Sequence, residues 1–380
     1  MCLCLLNAEE VLFNSLVQNM ISELYIEQYR GIKNLSLNNL GKINIIAGAN
    51  NCGKTSILEI IKSLEAPNDK KTWRFLGRRE GNSLRTSITI YDTMKALFPM
   101  TSDEDSKSVK YQGIYDNKEF QVELIGKTYD TVITGTEFER LNWDRLFPID
   151  ENEYETSAIA IDYYVYGKYC GNDIFYGIQK GFPIKEEKVV EKIVSNVEYI
   201  SPTQHAQNKF FLASLMTDPK LYEQFVEIMK EFDPGFISIN SVEEEKSLGR
   251  KYIVLSKGHK EGLLLNAYGD GMKKAMLLLS AVLKAKGGIL LLDEFETAIH
   301  ISAMEKVFHW LLETAVKLNV QIFMTSHSLE AISTVLKCCP ELQEDVRMIT
   351  LIKTEDGMKA RNVDARKPVQ LVEDYGLELR

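Results

Sequence analysis

Several features are missing from this 380-residue sequence, and each absence removes a class of function. No apolar run approaches the ~18 residues that a membrane-spanning helix needs, so a helical membrane protein is not expected. Cysteine is sparse: six residues (Cys2, Cys4, Cys52, Cys170, Cys338 and Cys339) contain no C-x-x-C pair, which argues against a zinc site of that spacing. Positive charge is not in excess either. Forty-five Lys and Arg stand against 54 Asp and Glu, a formal charge of −9, which disfavours a surface that coats nucleic acid and leaves room only for a local basic patch. There is no internal repeat, no low-complexity run and no long heptad tract, so no long coiled-coil stalk is expected. Residues 1–19 open apolar but carry no basic segment, and Asn7, Glu9 and Glu10 interrupt them, which makes a poor secretory leader. They read as an N-terminal extension, a short helix, or a misassigned start ahead of Met20. Reduced thiols and the lack of an export signal point to a cytoplasmic protein.

The strongest positive signal is Gly48-Ala49-Asn50-Asn51-Cys52-Gly53-Lys54-Thr55-Ser56. It has the spacing G-x-x-x-x-G-K-[ST] of a phosphate-binding loop, between an apolar strand (Ile43 to Ala47) and a helix opening Ile57-Leu58-Glu59-Ile60-Ile61. The residue types have mechanical reasons. Gly48 and Gly53 permit positive φ and close backbone approach, so that successive N–H groups point at phosphate oxygens. The following helix adds the positive end of its dipole. Lys54 reaches the β- and γ-phosphates, and the Thr55 hydroxyl is placed to ligate magnesium. Cys52 lies inside the loop, where a disulfide would wreck the site. A chance match on a glycine-bearing turn is the alternative, and the flanking strand and helix weigh against it.

Around the loop, residues 22–29 and 32–37 alternate as short strands about the turn Arg30-Gly31. Together with 43–47 they form a small β element delivering the chain to the loop. Arg30 either faces the nucleotide or is an exposed turn residue. Residues 67–82 are polar and basic (Lys70, Lys71, Arg74, Arg78, Arg79) and read as a mobile loop, more simply a solvated face than a contact for DNA or a partner. Residues 84–92, 109–134 and 157–166 read as antiparallel strands with a turn at Asp116-Asn117, an inserted β lobe. Val197 to Ile200 is another strand. Residues 207–231 are helical with a break at Thr217-Asp218-Pro219, and 235–267 return to alternation with turns at Leu248-Gly249 and Lys257-Gly258-His259. This insert is a short arm.

The C-terminal part repeats a strand-then-polar design. Gly288 to Leu292 is a continuous apolar run, as expected of a strand buried on both faces, and it ends in Asp293-Glu294. Carboxylates at such strand ends sit where open α/β sheets bind ligands. Asp293 is the expected partner of the magnesium held by Thr55, and Glu294 the group that positions or deprotonates an attacking water. Val320 to Ser326 is a second buried strand, ending at His327, whose imidazole can sense the γ-phosphate or orient water. His300 is the only other histidine worth testing; His205, His259 and His309 read as structural or surface residues. Between these strands, Tyr268-Gly269-Asp270-Gly271-Met272 opens an apolar helix, either a second anion-receptive N-terminus or a turn capped by Asp270.

The order of these motifs resembles an ABC-type ATPase domain. Within it the likeness is to the overcoming-lysogenization-defect (OLD-like, AAA15) branch, relatives of RecF, Rad50 and SMC heads. Tyr29 to Leu35, Gly48 to Asn51, Tyr268 to Met272 and Thr325-Ser326-His327-Ser328 carry the resemblance, which spans about Ile21 to Ile352. It implies an α/β fold: an ABC-type P-loop ATPase head with an antiparallel β lobe and a short helical insertion. It also implies head-to-tail catalysis, with ATP held by Gly48–Ser56 of one protomer and capped by Gly269, Asp270 and Gly271 of another. Gln204 falls near the family's glutamine loop. Glu296-Thr297-Ala298-Ile299-His300 stands where relatives often have Glu-Asn-Gly-Leu-His, and the missing glycine sets that turn apart. The resemblance further implies ATP and magnesium as ligands, a homodimer or higher homo-oligomer, and a separate effector, a nuclease or toxin, since no Toprim nuclease domain is expected after His327. The expected division is an extension (1–19), an N-terminal lobe (20–200), an arm and hairpin (201–267) and a C-terminal lobe (268–380). Prokaryotic anti-phage defence is the implied setting. The rivals are a RecF/SMC-like DNA-repair ATPase acting on nucleic acid, a transporter motor (which would need membrane-domain partners and is disfavoured by Tyr-Gly-Asp-Gly in place of the usual Leu-Ser-Gly-Gly signature) and a scaffold that binds ATP without turnover.

Overall fold

The computed structural model describes residues 19–78, 88–99, 106–142, 153–179, 189–207, 210, 212–243, 250–297, 299–342, 344–354 and 357–363. The expectations for the N-terminal extension, for Arg79, for most of 84–89 and for the turn at Leu248-Gly249 lie outside these residues. Among the described residues no helix is long and apolar enough to cross a membrane.

Two six-stranded sheets are stacked through the phosphate-loop helix. In chain order the first half comprises β1 (Ile21–Tyr29), β2 (Ile32–Leu37), β3 (Ile43–Ala47), α1 (Lys54–Ser63), α2 (Lys70–Arg78), α3 (Ile90–Lys95), β4 (Ser106–Tyr115), β5 (Lys118–Thr134), α4 (Gly135–Asn142), β6 (Glu153–Val165), β7 (Lys168–Tyr176) and β8 (Val197–Ile200). The second comprises α5 (Ala213–Met216), α6 (Pro219–Met229), β9 (Phe236–Glu243), β10 (Arg250–Ser256), β11 (Leu263–Leu264), α7 (Asp270–Lys284), β12 (Ile289–Leu292), α8 (Ile301–Lys317), β13 (Gln321–Ser326), α9 (Leu329–Cys338), β14 (Val346–Thr354) and β15 (Gly357–Val363). One sheet is antiparallel, ordered β2-β1-β4-β5-β6-β7; the other is ordered β15-β14-β3-β13-β12-β8 and is parallel except for its β14–β15 edge. Thus β3, expected to sit with β1 and β2, lies in the other sheet. Gln321 joins the two: its side chain accepts from Ile21 N at 2.8 Å and donates to Ile21 O at 2.8 Å and Gly41 O at 2.9 Å.

The parallel sheet is apolar on both faces because each face meets a different core. Ile289 and Leu291 of β12, Phe323 of β13 and Ile46 of β3 pack with α1 and the antiparallel sheet. Leu290, Leu292, Ile322, Met324 and Ile45 face α7, α8 and α9. A period-two strand sandwiched this way reads as an unbroken apolar run. The nucleotide-type motifs at its C-terminal edge are therefore held by strands with no solvent face.

The antiparallel lobe has the expected hairpin at Asp116-Asn117, both in the left-handed region (φ 50° and 59°) as a tight two-residue turn requires. Two expectations fail here. The basic run expected as a loop contains helix α2, because Trp73 and Leu76 bury one side while Lys71 faces solvent. Residues 90–92, expected as strand, begin α3: Thr89 accepts from Asp92 N and the Asp92 carboxylate accepts from Thr89 N, a reciprocal cap that sets a helix start. The C-terminal strand 347–353 is present as β14, and a further strand, β15, pairs with it. In the arm, the break at Asp218-Pro219 is a helix start: Asp218 accepts from Lys220 N and Leu221 N and Pro219 takes the first helical position.

Candidate functional site

The loop between β3 and α1 is closed around its glycines. Gly48 has φ +152° and a Cβ there would meet Cys52 Sγ at 2.7 Å; Gly53, at φ +85°, immediately precedes the helix. Asn51 adds a third positive φ of 60°. Ala49, Asn50 and Asn51 are exposed, so their backbone is open to a ligand, whereas Cys52 is buried and its thiol pKa is pushed up by that burial. Lys54 is buried and arches back over the loop, its Nζ donating to Gly48 O at 2.7 Å and Ala49 O at 2.9 Å. The ammonium thus sits over the loop that would hold the phosphates. Ser56 is buried one residue beyond Thr55.

The acid-ended strand meets this loop. Thr55 Oγ1 lies 3.0 and 3.2 Å from the two carboxylate oxygens of Asp293. The Asp293 carboxylate is held from two further sides, by Thr325 Oγ1 at 2.7 Å and Tyr199 OH at 3.0 Å. Tyr199 comes from β8 and Thr325 from β13, the two neighbours of β12, so the parallel register itself places these hydroxyls. Glu294 follows at φ +45°, a backbone region rare for residues other than glycine, and its N–H donates to the same Thr325 hydroxyl at 2.9 Å. Such a conformation persists only where neighbours over-determine it. Here it turns Glu294 out of the strand direction at the sheet edge.

His327 is on that edge, half exposed, and is tied to Glu296. Its N–H donates to Glu296 Oε1 at 3.2 Å and its Nδ1 lies 3.4 Å from the same oxygen; Ser326 Oγ donates to that oxygen at 2.8 Å. The Glu296 Oε2 atom is buried and has no hydrogen-bond partner among the described residues. Close by in the interior is Lys274 of α7, 1% exposed. Burial pushes its ammonium pKa down to about 8, and Glu296, Asp293 and Glu294 pull it back up, largest first. Neither Glu296 nor Lys274 was singled out from sequence for this role. The available signal was a lysine on the helical stripe shared with the buried Leu278 and Ala281, where an amphipathic helix puts apolar residues.

The remaining expected residues divide. Gly269 caps α7 and Asp270 is its first residue, so the cap is Gly269 and not Asp270; no side chain caps this N-terminus. Gly269 and Asp270 are exposed and Gly271 half-buried. Asp270 pairs with Lys273 at 2.7 Å and lies 3.9 Å from Nε2 of buried His205. Gln204 begins the short helical turn after β8 and accepts from Ser201 N at 3.3 Å, a local turn bond near Asp293, whose own N–H donates to Ile200 O. Arg30 is a correction: its guanidinium is engaged by Glu59 at 3.1 Å and by the carbonyls of Leu76 and Ala96 at 3.1 and 3.4 Å. It is neither an exposed turn residue nor aimed at the loop, because α2 and α3 cover it. Burial and the neighbouring Glu59 carboxylate keep the Tyr29 phenol, which donates to that carboxylate at 2.9 Å, far above its ordinary pKa. His300 caps α8 by accepting from Ser302 N.

Hydroxyl and carboxylate oxygens are the donors that magnesium takes, and the Thr55–Asp293 pair supplies both within 3.2 Å. These residues would hold the ion, which when bound shields phosphate charge. Lys54 and the α1 N-terminus complement the same negative charge. Glu294 presents a carboxylate at the end of β12, and His327, at the end of the neighbouring β13, is tied to Glu296.

Two family models and several known proteins are similar to this chain. A model described as AAA ATPase domain matches residues 20–157, and a second AAA domain model, whose description names AbiEii toxin and Type IV TA system, matches residues 191–333. An ATP/GTP phosphatase of Helicobacter pylori is 24% identical over 346 residues, covering 82% of this chain and 86% of that protein. An uncharacterized protein of Methanocaldococcus jannaschii is 39% identical over 108 residues, 25% of this chain and 42% of that one. Among solved structures, the SMC head bound to the C-winged helix domain of ScpA is similar at a TM-score of 0.47 and 14% identity (92% of this chain, 99% of that one). The SMC head domain from Thermotoga maritima is similar at 0.44 and 12% (90% and 98%). With one candidate nucleotide edge assembled from two stretches of chain, one matched by an AAA ATPase domain model and the other by an AAA domain model, the protein is a P-loop ATPase.

Proposed function

We propose that this ATPase assembles head to tail around ATP and magnesium and controls a separate effector, a nuclease or toxin, in an OLD-like prokaryotic defence module. The observation that carries the assembly is the N-terminus of α7. It is a helix of 15 residues that opens on exposed Gly269 and Asp270 with no side-chain cap, so its first N–H groups and dipole are available to an anion. A second copy's bound triphosphate is the anion this reading supplies. His205, on the turn that follows β8, lies 3.9 Å from Asp270 and so places that turn beside the same helix end. The AbiEii and Type IV TA wording of the matched domain supports the defence setting.

The test uses Glu294→Gln, which keeps the loop and the metal-holding residues. With ATP and magnesium its mass by light scattering is expected to double or more over the nucleotide-free protein, and the tagged variant recovered from its host with ATP is expected to bring the effector. A mass unchanged by nucleotide would overturn the head-to-tail assembly. Recovery of DNA and replication proteins in place of an effector would favour a DNA-repair ATPase.

A further inference from the structure

The outer strand of the parallel sheet brings a hydroxyl to the carboxylate that meets the phosphate loop, and the way Asp293 is shared among its neighbours gives that hydroxyl a role. Thr55 Oγ1 lies against both carboxylate oxygens, 3.2 Å from Oδ1 and 3.0 Å from Oδ2. The other two hydroxyls divide the oxygens between them: Thr325 donates to Oδ1 at 2.7 Å and Tyr199 donates to Oδ2 at 3.0 Å. These two come from strands on opposite sides of β12. With one hydroxyl on each oxygen, the carboxylate cannot turn about its Cβ–Cγ bond without losing one of them. An ionised carboxylate has about four lone-pair sites, so three hydroxyls leave roughly one for a metal ion or for water held by that ion.

The two holders are steadied differently. Thr325 lies in the sheet interior, and its oxygen also accepts from Glu294 N at 2.9 Å. Tyr199 ends a longer side chain on β8, which among the described residues is the last strand in the sheet order. Helix α2 braces it from outside. Phe75 meets the Tyr199 ring in a T-shaped contact, with centroids 6.2 Å apart and planes at 86°. Phe75 is 48% exposed, so its place depends on the anchoring of α2, whose Trp73 and Leu76 are buried and whose Trp73 Nε1 donates to Pro67 O at 2.7 Å. We propose that Tyr199, braced by Phe75, is a positioning residue that fixes the rotation of the Asp293 carboxylate and thereby sets the divalent-ion affinity of the site. Outer partners of this kind orient the groups that hold a metal. The inference rests on Thr55 and Asp293 as the holders of the ion, and on neither head-to-tail assembly nor an effector.

Manganese(II) is the probe, titrated into the full-length protein carrying a non-hydrolysable ATP analogue, with the free ion read by electron paramagnetic resonance. Tyr199→Phe removes one oxygen and keeps the ring. It is expected to weaken manganese binding about 10–100-fold, as loss of an outer partner does, with the affinity for the analogue in chelator unchanged. Phe75→Ala trims an exposed side chain and is expected to weaken manganese binding about two- to tenfold. The double variant decides whether the two act as one: if Phe75 works through the Tyr199 hydroxyl, adding Phe75→Ala to Tyr199→Phe costs nothing more. Manganese affinity in Tyr199→Phe within about twofold of the parent overturns the proposal. Losses that add in the double variant overturn the bracing by Phe75. Asp293→Asn separates the positioning role from the site itself: a large loss there with none in Tyr199→Phe removes only the role of Tyr199, whereas no loss in either removes the ion site as well.

Discussion

Replacing Lys274 by methionine should stabilise the protein, and the gain should shrink as pH rises. The side chain is 1% exposed inside α7, with its ammonium pKa lowered from 10.5 to about 8 chiefly by burial. The sign follows from proton binding. Between about pH 8 and 10.5 the unfolded chain holds a proton that the folded protein has released, so stability rises with pH across that window; below about pH 8 both states are charged and the full penalty applies. At about 1.36 kcal/mol per pH unit, the penalty is about 3 kcal/mol at neutral pH and falls to roughly 1.4 kcal/mol by about pH 9.5. Methionine keeps the length of the side chain and removes the charge. Urea unfolding of both proteins should therefore show Lys274→Met ahead by up to about 3 kcal/mol near neutral pH, with the gap narrowing by about 2 kcal/mol near pH 9.5. A variant that is less stable than the parent at neutral pH would refute the reasoning, because it would mean that attraction to Glu296, Asp293 and Glu294 outweighs desolvation. A gap independent of pH would mean that Lys274 does not titrate in that window.

Four further outcomes are expected. Lys54→Ala should abolish ATP turnover, measured as phosphate release, since the ammonium over the loop is lost; normal hydrolysis would displace the site assignment. Glu294→Gln should retain nucleotide binding by fluorescence titration while turnover falls by about 100-fold or more, in line with loss of a general base. Thr325→Val removes the hydroxyl that donates to Asp293 and accepts from Glu294 N; leaving those groups under-bonded should cost about 1–3 kcal/mol in unfolding experiments and raise the magnesium concentration needed for half-maximal turnover. Gln321→Ala breaks three buried bonds that join the sheets through Ile21 and Gly41. It should destabilise by roughly 2–4 kcal/mol, visible as a lower melting temperature, with ATP affinity little changed in the folded fraction.

The candidate nucleotide site was legible because the chemistry proposed for it depends on residue types at fixed local spacing. The glycines at 48 and 53, Lys54 and Thr55 act through one turn and the helix after it, and Asp293-Glu294 and His327 announce themselves as polar residues at the ends of runs too apolar to face water. The hairpin at Asp116-Asn117 was equally local, a turn whose residue types tolerate positive φ. Helix α2 was missed because its charged face dominates the composition, while only Trp73 and Leu76 face the core. Arg30 was misjudged for a related reason: a turn arginine looks free until α2 and α3 fold over it and Glu59 of α1 receives it.

Local pattern therefore determined where a glycine-bearing loop, a strand-end carboxylate and a strand-end histidine lie along the chain. Tertiary structure alone decided that Thr55 meets Asp293, 238 residues later, that Tyr199 and Thr325 hold that carboxylate from both neighbouring strands, and that Glu296 orients His327. It also decided that Lys274 is buried near three acids and that His309 meets Cys339. The physical reason is the same in each case. Sheet order and register are set by burying apolar faces on both sides of β12, β3 and β13, and the polar contacts at the strand ends follow from that packing across separations that no local spacing encodes.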